Sequence, residues 1–263
     1  MAEEPIIRLV GVSKAFGSTV VLDDVSLDIP RGRTTAIIGP SGVGKSVLIK
    51  HIVGLLQPDA GEVWIEDVDM ARASTRQMNE VRKRFGMLFQ GGALFDSLSA
   101  GENVAFPLRY HTRLSEAERR RVAEEKLALV DLPGVFDRPT ASLSGGQRKR
   151  VGLARAIVLE PEVVVFDEPN SGLDPLTSDT IDELIGRMKQ QLGITFVVIT
   201  HDIVSAMSIA DYIGMLWGAK LVEYGTREAF LHSRHEVVRR FLSRNVDLPD
   251  PVGPLIPVPG ELE

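Results

Sequence analysis

The stretch that most limits how this chain can fold is Gly39-Pro40-Ser41-Gly42-Val43-Gly44-Lys45-Ser46. It lies between an apolar run at Thr34–Ile38 and a segment with helical spacing at residues 47–56, ended near Pro58. A strand passing through a glycine-rich turn into a helix is an α/β unit, and the turn has a chemistry of its own. Glycines let successive backbone N–H groups point inward at the positive end of a helix, which makes a nest for phosphate oxygens. A lysine at position 45 neutralises β- and γ-phosphate charge, and the Ser46 hydroxyl can join a Mg²⁺ shell. The pattern therefore points to a bound nucleoside triphosphate.

The rest of the chain agrees with that fold class. Period-2 runs at residues 6–12 and 25–29, and short runs at 61–65 and 85–89, predict strands. Residues 102–159 turn helical, with apolar positions among many charges, and look like an inserted subdomain. Residues 162–166 and 194–199 are continuous apolar runs of strand length, the signature of parallel strands buried on both faces. A helix from about Ile203 follows, then a hairpin pairing residues 212–217 with 220–223 around Gly218-Ala219. The run Arg119-Arg120-Arg121 sits three and four residues from acids, as in Arg121 and Glu125, and reads as a solvated helix face.

Composition removes other classes. The 263 residues are 44% hydrophobic with a net charge of -6, too apolar and too weakly charged for a disordered chain. There is no cysteine, so neither a disulfide scaffold nor a thiolate metal site is available. The acidic balance argues against a nucleic-acid partner. Apolar stretches such as 196–200 and 203–210 fall far below the roughly 20 residues needed to span a bilayer. The start, Met1-Ala2-Glu3-Glu4-Pro5, is acidic where a secretory signal is basic. A soluble cytoplasmic protein is the expectation. Five of the fifteen prolines fall at positions 249, 251, 254, 257 and 259. Proline at that density excludes helix and central strand, so residues 247–263 are expected to form an extended tail beyond a domain of residues 1–246.

Two further stretches carry chemistry. Val163-Val164-Val165-Phe166-Asp167-Glu168 places two carboxylates at the C-terminal edge of a buried strand, where open α/β sheets bind ligands. One can serve a metal while the other takes the proton of an attacking water. Leu143-Ser144-Gly145-Gly146-Gln147 precedes a helical run at 148–159. Ser144 is a natural N-cap, and the glycines expose N–H groups at a positive helix end.

In this order the motifs resemble those of the nucleotide-binding subunits of ATP-binding-cassette (ABC) transporters, and the resemblance covers about residues 6–245. It implies an α/β fold with a RecA-like P-loop core, an N-terminal antiparallel β subdomain and an α-helical subdomain inserted at about 100–160. It also implies an ATPase. Gly39, Ser41, Gly42, Val43, Gly44, Lys45, Ser46 and Val47 match the Walker A loop and its helix start. Asp167 and Glu168 match Walker B and its catalytic glutamate. Ser144, Gly145, Gly146 and Gln147 match the signature, Gln90 the Q-loop, Asp174 the D-loop and His201 the switch histidine. Phe16 stands where the family stacks an aromatic, more often tyrosine, on adenine. Alone, Phe16 would be core, Gln90 a strand end and His201 a helix cap or surface residue.

The resemblance further implies two chains facing head to tail, so that the signature of one acts on ATP held by Lys45 of the other. Ser46, Gln90 and Asp167 would serve Mg²⁺. Glu168, His201 and Gln90 would be catalytic, and Asp174 would couple the two sites.

Gln90-Gly91-Gly92-Ala93-Leu94-Phe95-Asp96-Ser97-Leu98-Ser99, followed by Glu102-Asn103-Val104-Ala105-Phe106-Pro107-Leu108, is similar to the Mla and Mce-associated lipid-trafficking ATPases. So are Val47 and a C-terminal region running into the proline-rich tail, which in such proteins reaches a partner. That similarity implies a homodimer on membrane permease subunits at the cytoplasmic face of the inner membrane. An Mce-domain lipid-binding protein and a STAS-domain regulator would be further partners. An importer ATPase for an amino acid or metal, or a non-transport ABC ATPase, are the alternatives.

Overall fold

The computed structural model describes residues 4–89 and 91–243; Gln90 and the proline-rich tail from residue 247 lie outside them. The described residues form two compact units, one of 4–78 together with 197–243, the other within Asn79–Phe196. The first unit opens with β1 (Pro5–Phe16), β2 (Thr19–Pro30), β3 (Thr34–Ile38), α1 (Lys45–Ile52), β4 (Ala60–Ile65) and β5 (Val68–Asp69), and α2 (Thr75–Arg82) leads out of it. The second holds β6 (Phe85–Leu88), α3 (Ala100–His111), α4 (Glu116–Leu129), α5 (Gly145–Ile157), β7 (Val163–Asp167) and α6 (Pro175–Leu192). With β8 (Thr195–Thr200) the chain returns to the first unit, adding α7 (Ile203–Ile209), β9 (Tyr212–Trp217), β10 (Lys220–Thr226), α8 (Arg227–Leu231) and α9 (Glu236–Leu242).

In the first unit β2, β1, β4 and β5 make an antiparallel sheet in that order. Leu9 faces Leu27 on one side and Val63 on the other. Alternation sends Ile7 and Leu9 to the interior, and a register shift between Leu9 and Val12 turns Val12 inward as well. A second run of strands has the order β10, β9, β3, β8. β3 and β9 are parallel, with Ile37 opposite Gly214, and all five residues of β3 are buried. Ala36, Ile38, Ile203, Ala206, Met215, Phe230 and Val238 close the core around them.

In the second unit β6 and β7 are parallel, Met87 opposite Val165. Thr195, the first residue of β8, donates its N–H to the Glu162 carbonyl just before β7, and Phe166 meets Phe196 edge-on at 5.4 Å. Helices α3 and α4 each begin with a reciprocal capping box, Ser99 with Glu102 and Ser115 with Glu118. The arginine run lies on α4 as expected: Arg121 pairs with Glu125 at 2.6 Å, and Arg120 forks onto Asp137.

Two boundaries and several elements differ from the sequence reading. Helix α1 starts at Lys45 rather than 47 and stops at Ile52 rather than 56, because Gly54 takes a left-handed φ of 67°. Helix α5 begins at Gly145 rather than 148, so both signature glycines lie in its first turn. Helices α2, α6, α8 and α9 were not foreseen. Among the described residues no helix is long and apolar enough to cross a membrane.

Candidate active site

Residues 39–46 leave the buried end of β3 and enter α1, as the glycine pattern requires. Gly39 has φ 152°, and a Cβ there would lie 2.4 Å from the Leu216 carbonyl oxygen. Gly44, the N-cap of α1, has φ 111°, and its Cβ would fall 2.6 Å from the Val21 carbonyl oxygen. Both positions need the backbone conformation and the space that only glycine has. A glycine N-cap also offers no side-chain oxygen to the first-turn N–H groups, which suits an anionic ligand at that end. Lys45 is 6% exposed, and its Nζ donates to the carbonyls of Gly39 at 2.8 Å and Pro40 at 3.1 Å. The ammonium is thus folded back over the loop. Ser41, Gly42 and Ser46 are exposed, while Val43 and Val47 are half-buried.

Phe16 closes β1 and is 50% exposed, so it is not a core residue. The neighbouring chain is held by Asp59, whose carboxylate accepts from Lys14 Nζ at 2.6 Å and from the Ala15 N–H at 2.8 Å. These hydrogen bonds lower the Asp59 pKa below the usual carboxylate value. Lys14 Nζ lies 5.6 Å from the centre of the Phe16 ring. His201 lies between β8 and α7 and is exposed. It does not cap the helix: Asp202 does, accepting from the N–H groups of Val204 and Ser205.

In the second unit, Asp167 ends β7 and Glu168 follows it, both half-buried. Glu168 has φ 52°, a left-handed conformation that costs a non-glycine residue about 1–3 kcal/mol. Its carbonyl accepts from the Ser171 N–H at 3.2 Å and from Lys149 Nζ at 3.2 Å. Asn170 is buried and donates to Asp182 at 2.9 Å, a polar pair that ties the segment after Glu168 to α6. Asp174 caps α6, accepting from the Thr177 N–H and hydroxyl, with Pro175 in the first turn. Those bonds hold its carboxyl below the usual range.

Ser144 caps α5: its Oγ accepts from the Gln147 N–H at 3.2 Å, and Gln147 Oε1 accepts from the Ser144 N–H at 3.0 Å. Gly146 has a packing reason as well, since a Cβ there would lie 2.5 Å from Thr177 Cγ2. Gln90 is outside the described residues. The loop after it is gripped by Arg155 of α5, whose guanidinium donates to the carbonyls of Gly92 and Ala93, each at 2.9 Å. Lys149, Arg155 and Asp59 escaped the sequence reading; Lys149 alone left a trace, lying three residues from both Gly146 and Gly152 on the buried stripe of α5.

The sequence profile of the "ABC transporter" family matches residues 22–171. The chain is 44% identical over 237 residues to "Probable ribonucleotide transport ATP-binding protein mkl" of Mycobacterium leprae, covering 90% of this chain and 68% of that one. It is 43% identical over 233 residues to "Intermembrane phospholipid transport system ATP-binding protein MlaF" of Haemophilus influenzae, covering 89% and 88%. Among solved structures it is similar to an ATP-binding cassette captured as a dimer after hydrolysis with ADP and Pi, at 32% identity and a TM-score of 0.76. That match covers 84% of this chain and 98% of the other.

Proposed function

The chain belongs to the ABC transporter family, and on that premise we propose that it is the ATP-hydrolysing subunit of a transporter that moves phospholipid across a bacterial envelope. The observation that carries the lipid reading is the extent of the likeness to the phospholipid-transport protein. It runs through 88% of that protein's length, against 68% for the mycobacterial one. The mycobacterial relative is named for ribonucleotide transport, which makes import of a polar solute the second reading.

In the proposed mechanism the N–H groups of residues 41–46 and the Lys45 ammonium bind the phosphates, and Phe16 stacks on the base. The donor set fits Mg²⁺, a hard cation that keeps few protein ligands when phosphates supply the rest. Ser46, Asp167 and Gln90 would hold it, and when bound it neutralises phosphate charge. Glu168 accepts a proton from water as the water oxygen attacks the γ-phosphorus and the bond to ADP breaks. His201 donates to the γ-phosphate oxygens as their charge develops. Ser144, Gly145, Gly146 and Gln147 act on ATP held by a second copy of the chain, and Asp174 couples the two sites. A dimer that needs donors from both chains closes only around the triphosphate and opens once it is cleaved.

The partners follow from that reading: a homodimer, permease subunits in the inner membrane, an Mce-domain lipid-binding protein and a STAS-domain regulator. The chain would sit on the cytoplasmic face of the membrane. Beside α3 and α4 runs a groove of about 450 Å³ lined by Leu98, Phe106, Arg109, Arg119 and Phe136. Phe95, ahead of α3, meets Phe106 of α3, and Phe106 meets Tyr110, in tilted contacts with centres 4.6 and 4.9 Å apart; Phe95 and Tyr110 stay exposed. A groove that sets apolar side chains beside both arginines and the carboxylates of Glu102, Glu116 and Asp137 supports docking of a permease segment that is polar as well as apolar.

Purifying the detergent-solubilised complex and identifying its subunits and lipids by mass spectrometry tests the assignment. Permease, Mce-domain protein and phospholipid are the expected companions. A solute-binding protein without lipid would replace the lipid reading with the polar-solute one.

A further inference from the structure

Lys149 stands in the wrong place for a lysine. It lies on the buried stripe of α5 and is 4% exposed. Its ammonium has one hydrogen bond among the described residues, to the Glu168 carbonyl oxygen. Burial lowers its pKa, and the charges of Glu168 and Asp167 offset only part of that effect. A buried ammonium with one neutral acceptor is costly, and a methionine of similar length would fill the same volume without the cost. Packing alone gives no reason for the charge.

Glu168 supplies one. Its φ of 52° is a conformation that a glutamate leaves unless the surroundings hold it. The two donors on its carbonyl come from different directions along the chain: Ser171 from the turn that follows, Lys149 from the signature helix. The second ties Glu168 to another element.

We propose that Lys149 is a positioning residue for Glu168, holding its peptide left-handed and linking the signature helix to the hydrolytic carboxylate of the same chain. The proposal rests on the reading of Glu168 as the residue that takes the proton from water. Its consequence is a route between the two ATP sites of a dimer. Lys149 is five residues from the Ser144 cap, about 7.5 Å along the helix. A shift of α5 as its N-terminus engages the partner's ATP therefore moves the donor that sets Glu168.

The test is ATP turnover by the full chain carrying K149M, K149Q or K149R, with E168Q in parallel. K149M should lower kcat about tenfold or more, a 1.4 kcal/mol change in the transition state, while KM for ATP stays within about twofold. Its melting temperature should be unchanged or higher, because a buried charge has gone. K149Q and K149R, which keep a donor, should recover much of the loss. In K149M the Ser171 amide should exchange its hydrogen faster, a readout that needs no activity. Wild-type kcat in K149M beside an inactive E168Q would overturn the positioning role and leave the reading of Glu168 intact. Wild-type turnover in E168Q would overturn that reading, and the proposal with it. A K149M loss that tracks a fall in melting temperature, with K149Q no better, would mean that Lys149 only packs.

Discussion

The phosphate loop and the turn after β7 both hold the chain at positive φ, and they do so with opposite residues. At the loop the strained positions are glycines, Gly39 at 152° and Gly44 at 111°. After β7 the strained residue is Glu168 at 52°. The difference follows from what each place offers a ligand. In the proposed mechanism Gly39 and Gly44 serve the loop's backbone N–H nest, so a side chain at either position would only occupy space. The turn, in that proposed mechanism, works through the Glu168 carboxylate, so the side chain cannot be dropped and the backbone strain must be borne. Neighbours carry it: Ser171 and Lys149 on the carbonyl, and Asn170 anchored to Asp182.

Substitutions that exchange the two strategies test the contrast. Gly39→Ala should have the largest effect. Its Cβ meets backbone at 2.4 Å, so the loop must move, and nucleotide affinity should fall about a hundredfold with a loss of stability of about 2–4 kcal/mol. Titration with a fluorescent ATP analogue and a thermal melt would show both; near-native binding would mean that the loop yields easily. Glu168→Gly is the mirror experiment. It should remove turnover yet leave the fold as stable as the wild type or up to about 1 kcal/mol more stable, because the strain disappears. A clear loss of stability would show that the glutamate side chain holds the turn rather than burdening it.

The smallest effect concerns the helix under the loop. His51 of α1 is buried, its Nδ1 hydrogen-bonded to the Val47 carbonyl at 2.7 Å and its Nε2 without a hydrogen-bond partner among the described residues. Burial lowers its pKa below the ordinary 6.5, with Lys14 adding to the shift and the Val47 and Gln57 carbonyls and Asp59 opposing it. The unfolded chain then binds the proton more readily than the folded one, so stability contributed by neutral His51 is present above pH 6.5 and lost as pH falls below it. Melting temperatures from pH 8 to 5 should decline in the wild type, and less steeply in His51→Leu. Equal slopes would remove His51 as the cause.

How much of this could be read in sequence follows the same division. β3, β7 and β8 are buried on both faces, and such strands show as continuous apolar runs whatever surrounds them. The phosphate loop is contiguous, so its residues announce the chemistry together. Helix α6 was harder, although Asp174, Pro175 and Gly193 mark its ends. Its apolar stripe is confined to Ile181, Leu184, Ile185 and Met188, and the buried Asp182 beside it reads as a surface residue. Lys149 was barely legible: it stands between Arg148 and Arg150, its spacing from Gly146 and Gly152 is the one trace of burial, and its partner is nineteen residues away. Asp59 and Arg155 likewise act through contacts 44 and 63 residues apart, which no local pattern encodes.

The central claim, that Glu168 completes hydrolysis of an ATP shared by two chains, is tested most directly by Glu168→Gln. With ATP and Mg²⁺ this variant should run at twice the monomer mass in size-exclusion chromatography with light scattering. It should retain intact ATP and turn over at least about a hundredfold more slowly than wild type. A monomer that hydrolyses ATP at the wild-type rate would contradict both halves of the claim.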